Sequence, residues 1–197
     1  MRAGILLVAA FVATLGLGAC GATSTPTTTS VVAFTPVAGT GAPSAAPVTA
    51  TESGSCWEGS LALFQEATAW RCMTANQILD PCFGPAEQPD APQVVCVTSP
   101  WSTATRLTLT QPLPRDQANA PGNGPRAVWA FVLGNGDRCL VGTGVVPQLG
   151  SVLLQYTCSS GGAAGDLDQR HQPWTVEYRQ AGSRALTSKP VLTAWDA

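Results

Sequence analysis

Six cysteines, Cys56, Cys72, Cys82, Cys96, Cys139 and Cys158, constrain this chain more than any other feature. No pair has the C-x-x-C spacing, and the only histidine is His171. A tetrahedral zinc centre needs short-spaced ligand pairs, so metal is not expected, and neither is a reactive thiol. Whether the six are disulfides depends on the compartment, which the N-terminus decides.

The chain opens with Arg2 and an uncharged apolar run, Gly4 to Leu17, that ends in Leu17-Gly18-Ala19-Cys20. The run is shorter than the ~20 residues of a membrane span and reads as an export signal, residues 1–19. Small residues before a cysteine form a lipobox. The Cys20 thiol takes a diacylglyceryl group, and cleavage leaves Cys20 as the new N-terminus. With palmitate-type acylation, two or three chains at ~0.8 kcal/mol per buried methylene hold the protein on the extracytoplasmic side of the cell membrane.

An even set of cysteines in an exported chain reads as a disulfide framework. Two β-rich runs flank Pro147-Gln148-Leu149-Gly150, whose midpoint puts Cys139 opposite Cys158. Cys82 and Cys96 bracket a Pro-rich loop of about fifteen residues, which a bridge would stabilise by ~3 kcal/mol. Cys56–Cys72 follows by elimination. Spacing alone leaves open the crossed set, Cys56–Cys82 with Cys72–Cys96.

Removing the signal leaves nine basic and twelve acidic groups. Nucleic acid is therefore not an expected partner. In residues 21–55, 29 of 35 positions are Thr, Ser, Ala, Pro or Gly. So few large apolar side chains predict a flexible tether over 20–55, including Cys20, with a root-mean-square reach of roughly 30–35 Å. The Thr-Pro content permits glycosylation. The expected folded unit is 56–197, a single domain.

Within it, 94–99, 105–111, 126–133, 138–144, 151–158 and 174–180 are rich in Val, Thr, Leu and aromatics and read as strands, with 190–197 as a final one. Gly134-Asn135-Gly136-Asp137 is a hairpin signal. Residues 60–70 suit either a helix or a strand, and 111–125 a loop. The expected fold is mainly β: a small antiparallel β domain braced by three disulfides, with room for one short helix near its start.

Catalytic constellations are sparse. His171 lies in a polar stretch before Pro173, and no serine has a G-x-S-x-G setting. Asp166 and Asp168 lack the second half of a calcium loop. Glu58, Glu66 and Glu177 form no evident glycosidase pair, and the Gly-rich pieces lack a phosphate loop's context. No cofactor is expected. Trp70 and Trp129 sit in apolar runs and read as core; Trp57, Trp101, Trp174 and Trp195 lie at element edges, where tryptophan shields a bridge or anchors a partner.

The lipobox, the Thr/Pro segment, "CWEGS", "AWRCMTANQILDPCF", "VVCV", "VWAFVLGNGDRC" and "LLQYTCS" together resemble the LppP/LprE-type lipoproteins of mycobacteria and related actinobacteria. The similarity spans nearly all of 56–180. It implies a cell-envelope lipoprotein with Cys20 as its lipid site and the six cysteines as a set. No catalytic or ligand residues come with it. The expected function is non-catalytic: a lipid-anchored β domain displayed to an envelope protein or wall component. The alternative is a carrier or sensor of a small apolar ligand such as a lipid, judged by an enclosed cavity. A hydrolase would require His171 beside a serine and a carboxylate.

Overall fold

Strand-forming runs separated by Gly- and Pro-rich turns close into two rings in the computed structural model, which describes residues 27–37, 46–85, 90–121 and 127–196. The first ring contains β2 (Val48–Gly59), β3 (Ala69–Met73), β4 (Ile78–Phe83), β5 (Gln93–Cys96) and β6 (Ala104–Leu109). Neighbours are antiparallel except β6 and β2, whose parallel pairing closes the barrel. The second contains β7 (Val128–Leu133), β8 (Arg138–Val141), β11 (Tyr156–Cys158), β12 (Ala163–Asp168), β13 (Thr175–Arg179) and β14 (Leu186–Asp196), closed by β14 against β7. A short strand, β1 (Ser30–Ala33), lies parallel to the C-terminal half of β14, and β9 (Gln148–Leu149) with β10 (Val152–Leu153) forms a small hairpin.

The three bridges are Cys56–Cys72, Cys82–Cys96 and Cys139–Cys158. In each, the two cysteines stand directly opposite in an antiparallel pair. The crossed alternative is thereby excluded. In the first ring the sulfurs of Cys72, Cys82 and Cys96 lie within 4.8 Å of one another. Together with Trp70, Leu79, Val94 and Leu107 they form its core, so the cystines add cross-links to a small apolar interior. Phe131, Leu133, Tyr156, Val176 and Val191 fill the second ring.

A further cluster belongs to both rings. Phe34 packs against Phe83 of the first at 6.1 Å between ring centroids and against Trp129 of the second at 5.2 Å. Trp101 meets Trp195 edge-to-face at 5.1 Å, and the Arg138 guanidinium lies 5.4 Å over Trp101. The edge tryptophans 101 and 195 thus join the two rings, while bridge shielding falls to Trp70 in the first ring's core.

Three expectations are corrected. The flexible tether to residue 55 does not hold for 27–37 and 46–55, which supply β1 and most of β2; backbone pairing to β14 and β6, with Phe34 and Ala46 buried in the core, holds them. The folded unit therefore starts well before Cys56 and comprises two rings around a shared core. No α-helix occurs among the described residues, and the only helical piece is a 3-10 turn, Arg115–Gln117. Residues 61–68 form turns, because side chains capture their backbone: the Leu63 N–H donates to Ser60 Oγ, and the Leu61 N–H to Asp80 Oδ2. Asp166, Leu167 and Asp168 lie on β12 at a bulge, and Asp168 accepts a bidentate pair of bonds from Arg170.

Candidate functional site: a polar cleft at the end of the second ring

The Gly134–Asp137 hairpin forms as expected. Gly136 has φ +84°, open only to glycine-like residues, and its N–H donates to Leu133 O. Asn135 Oδ1 accepts the Asp137 N–H at 3.2 Å, tightening the turn and turning the Asp137 side chain inward, where the residue is 5% exposed. The next strand carries Cys139, and its bridge to Cys158 fixes the turn that follows β11 against Asp137. Arg138 N–H donates to Ser159 Oγ, and Ser159 N–H to Arg138 O, locking the two segments from both sides.

Asp137 is therefore surrounded by donors. Its Oδ1 accepts from Ser159 Oγ at 2.6 Å and from the Ser160 N–H at 2.9 Å; its Oδ2 accepts from Ser160 Oγ at 2.5 Å and from the Tyr178 hydroxyl at 3.0 Å. Burial pushes the carboxyl up, but the bonds from Ser159, Ser160 and Tyr178 outweigh it and hold Asp137 below the usual carboxylate range. Burial, with the Asp137 charge adding to it against the Ser160 bond, raises the Tyr178 phenol. Close approach is built into the backbone here: a Cβ on Gly162 would fall 2.5 Å from the Tyr178 hydroxyl oxygen.

Above this network lies an open cleft of about 350 Å³, lined among others by Asn135, Ser160, Tyr178, Gln180, Thr187 and Lys189. The strand ends place it. β7 and β14 contribute Trp129 and Trp195 to the shared cluster at one end, and Asn135 and Lys189 border the cleft at the other. The cleft thus occupies the end of the second ring away from the first. A second concavity, about 200 Å³ and mainly apolar, lies on the first ring beside Trp70, Gly84, Pro85 and Leu113. Phe64, 61% exposed, lies in the turn segment that leads to it.

Cys20 lies outside the described residues. His171 is exposed in the loop between β12 and β13, whereas Ser160 precedes β12, so the whole length of that strand separates them. The structure does not bring His171 to the Ser159, Ser160 and Asp137 group. Glu58 pairs with Arg71 at 3.1 Å, and Glu66 accepts from Thr68. The cleft residues Ser160, Tyr178 and Lys189, and Asp137 and Ser159 beneath them, are not legible as a motif, with one exception. The register that sets Cys139 opposite Cys158 also sets Asp137 opposite Ser160, two residues further along each segment.

Comparisons with protein-family models, curated proteins and solved structures found no match to this chain.

Proposed function

We propose that this chain is a lipid-anchored cell-envelope protein of non-catalytic type, held through Cys20 on the extracytoplasmic side of the membrane. Its β rings display the Asp137–Tyr178 cleft to a wall component. The lipobox and the resemblance to LppP/LprE-type lipoproteins support the anchor. The observation that carries the binding reading is the cleft itself: polar, open, about 350 Å³, and floored by a rigid, fully bonded carboxylate network. That volume falls in the ~300–1,000 Å³ range of small-molecule sites, whereas the apolar concavity by Trp70 lies below it, which weighs against the lipid-carrier reading.

The fold's early start changes the display. Thr29 is held by three bonds: its N–H to Gln172, its hydroxyl to Val191 O, and the Trp174 N–H to its Oγ1. From Cys20 to Thr27 the chain spans at most ~25 Å. A lipidated protein of this design rides close to the bilayer, within a shorter reach than a tether to residue 55 would give.

The test is co-sedimentation of the acylated protein with insoluble wall material, beside a Cys20→Ser variant followed for acylation and membrane retention. Wall binding by both forms, with acylation lost only in the variant, is the expected result. Acylation of the variant would overturn the anchor, and failure of both forms to sediment would overturn wall recognition.

A further inference from the structure

We infer that the cleft receives a sugar acid: a hydroxyl- or amide-bearing glycan unit that turns its donors to the Ser160–Tyr178 floor and a carboxylate to Lys189. This deepens the wall-binding reading and rests on it. A hydroxyl has one proton to donate and two lone pairs with which to accept. Asp137, as a carboxylate, only accepts, and it draws on both hydroxyls of the floor, Ser160 Oγ at 2.5 Å and Tyr178 Oη at 3.0 Å. The two hydroxyl oxygens are also 3.0 Å apart. Whether the Tyr178 proton points to Asp137 or to Ser160, both protons stay inside the trio. The floor therefore offers lone pairs to the cleft and no donor. A ligand that settles on it must bring O–H or N–H groups.

The wall has the opposite character. Lys189, on β14 opposite Val176, supplies the one positive charge among the lining residues and has no carboxylate partner among the described residues. An ammonium donates three hydrogen bonds and accepts none. Asn135 and Gln180 add side-chain amides that can both give and take. The ligand that complements this set carries several donors on one side and an anionic acceptor on the other. An apolar chain satisfies neither, and a bare anion lacks the donors. Because the cleft is open at the strand ends, it can take one unit within a longer polymer.

The probes are N-acetylmuramic acid, N-acetylglucosamine and the O-methylated methyl glycoside of N-acetyl-N-methylmuramic acid, which keeps the carboxylate but has no O–H or N–H donor. Binding to the full acylated chain in detergent is followed by ligand-observed NMR. N-acetylmuramic acid is expected to bind more tightly than N-acetylglucosamine, and Lys189→Ala to weaken it about tenfold, the loss of one charge-assisted bond, while leaving N-acetylglucosamine unchanged. Tyr178→Phe, which keeps the ring and removes one floor oxygen, is expected to weaken both. The donor-free probe is expected not to bind. Binding of the donor-free probe equal to that of N-acetylmuramic acid, indifference of N-acetylmuramic acid to Lys189→Ala, or no binding by either parent sugar would overturn the assignment. Continued sedimentation with wall material in any of those cases would show that the class of ligand is wrong while wall recognition stands.

Discussion

Phe34 stands edge-on to Trp129, ring centroids 5.2 Å apart, and with Phe83 at 6.1 Å it bridges the cores of the two rings. A residue from a segment with the composition of a linker is thus 5% exposed at the centre of the molecule. Phe34→Ala is expected to destabilise the protein by roughly 3–5 kcal/mol, as aromatic truncations in cores do. Denaturant unfolding followed by tryptophan fluorescence measures this. A change below about 1 kcal/mol would mean the N-terminal segment is not part of the folded core.

The Cys139–Cys158 bridge lies two residues from Asp137 and two from Ser160, so it serves the cleft as well as the ring. Replacing both cysteines by alanine is expected to cost about 2–4 kcal/mol. The signature of the positioning role is a weakened affinity of the surviving folded protein for its ligand. Removal of Cys82–Cys96, in the other ring, is expected to lower stability while sparing affinity.

Asp137 gives the acid limb of the stability profile a defined sign. Its folded-state value lies below the ordinary 3.8, so its contribution is full above that value and is lost as pH falls through the folded-state value. Asp137→Asn is expected to cost about 1–3 kcal/mol at neutral pH, with the gap to wild type closing in acid. Asp80 acts in the opposite sense, since burial raises it against the bonds from Ser60 and Leu61, so protonation on the way down in pH favours its folded site. Denaturation midpoints against pH for wild type and variant separate the two. A gap that widens in acid would contradict the assignment.

At the alkaline end the chain provides its own reporter, because Tyr156 and Tyr178 are its only tyrosines. Burial raises both phenols, Tyr156 to about 12. Tyr156 donates to Val128 O at 2.9 Å, and its ring packs on Phe131 at 4.7 Å. The folded state keeps its phenol protons after the unfolded state has lost them, so stability falls as pH rises from 10 toward about 12. Ultraviolet titration of phenolate should stay flat through the ordinary range and then rise together with unfolding. Free ionisation at the ordinary value in the folded protein would contradict the burial of both rings.

The short connection to Cys20 predicts where the molecule sits. Neutron reflectometry of acylated protein on a supported bilayer should place protein density within ~25 Å of the headgroups. A water gap wider than that would show that residues 27–37 leave the second ring when the protein is anchored.

The sequence was informative where side chains decide and silent where backbone does. Thr175–Arg179 carries the alternation of a half-buried strand and Val128–Leu133 the unbroken apolar run of a buried one. Local register and loop closure point to Cys139–Cys158 and Cys82–Cys96, while Cys56–Cys72 rests on elimination with the crossed set open until the fold is seen. The tetrapeptide 147–150 gave the right partner for Cys139 although its residues belong to a separate small hairpin with Gly150 at φ +62°. β2 was not legible because its first seven residues, Val48 to Gly54, bury little and are held by parallel backbone pairing to β6. β12 opens with Ala163-Ala164-Gly165, a composition that reads as loop. The reason is close approach, since a Cβ on Gly165 would lie 1.9 Å from Leu153 O. The cleft is not legible for a related reason: its residues are ordinary serine, tyrosine, aspartate and lysine, and while the Cys139–Cys158 register sets Asp137 opposite Ser160, only the curled sheet brings Tyr178 of β13 to them.

The most direct test of the account is site-specific photo-crosslinking in intact cells, with the reactive residue at Gln180 on the cleft rim or at Phe64 on the exposed turn of the first ring. Wall polymer joined to the Gln180 position and absent from the Phe64 position is the predicted result. Polymer-free protein at Gln180, with lipid or a protein partner captured at Phe64, would contradict the central claim and move the binding surface to the apolar concavity beside Trp70.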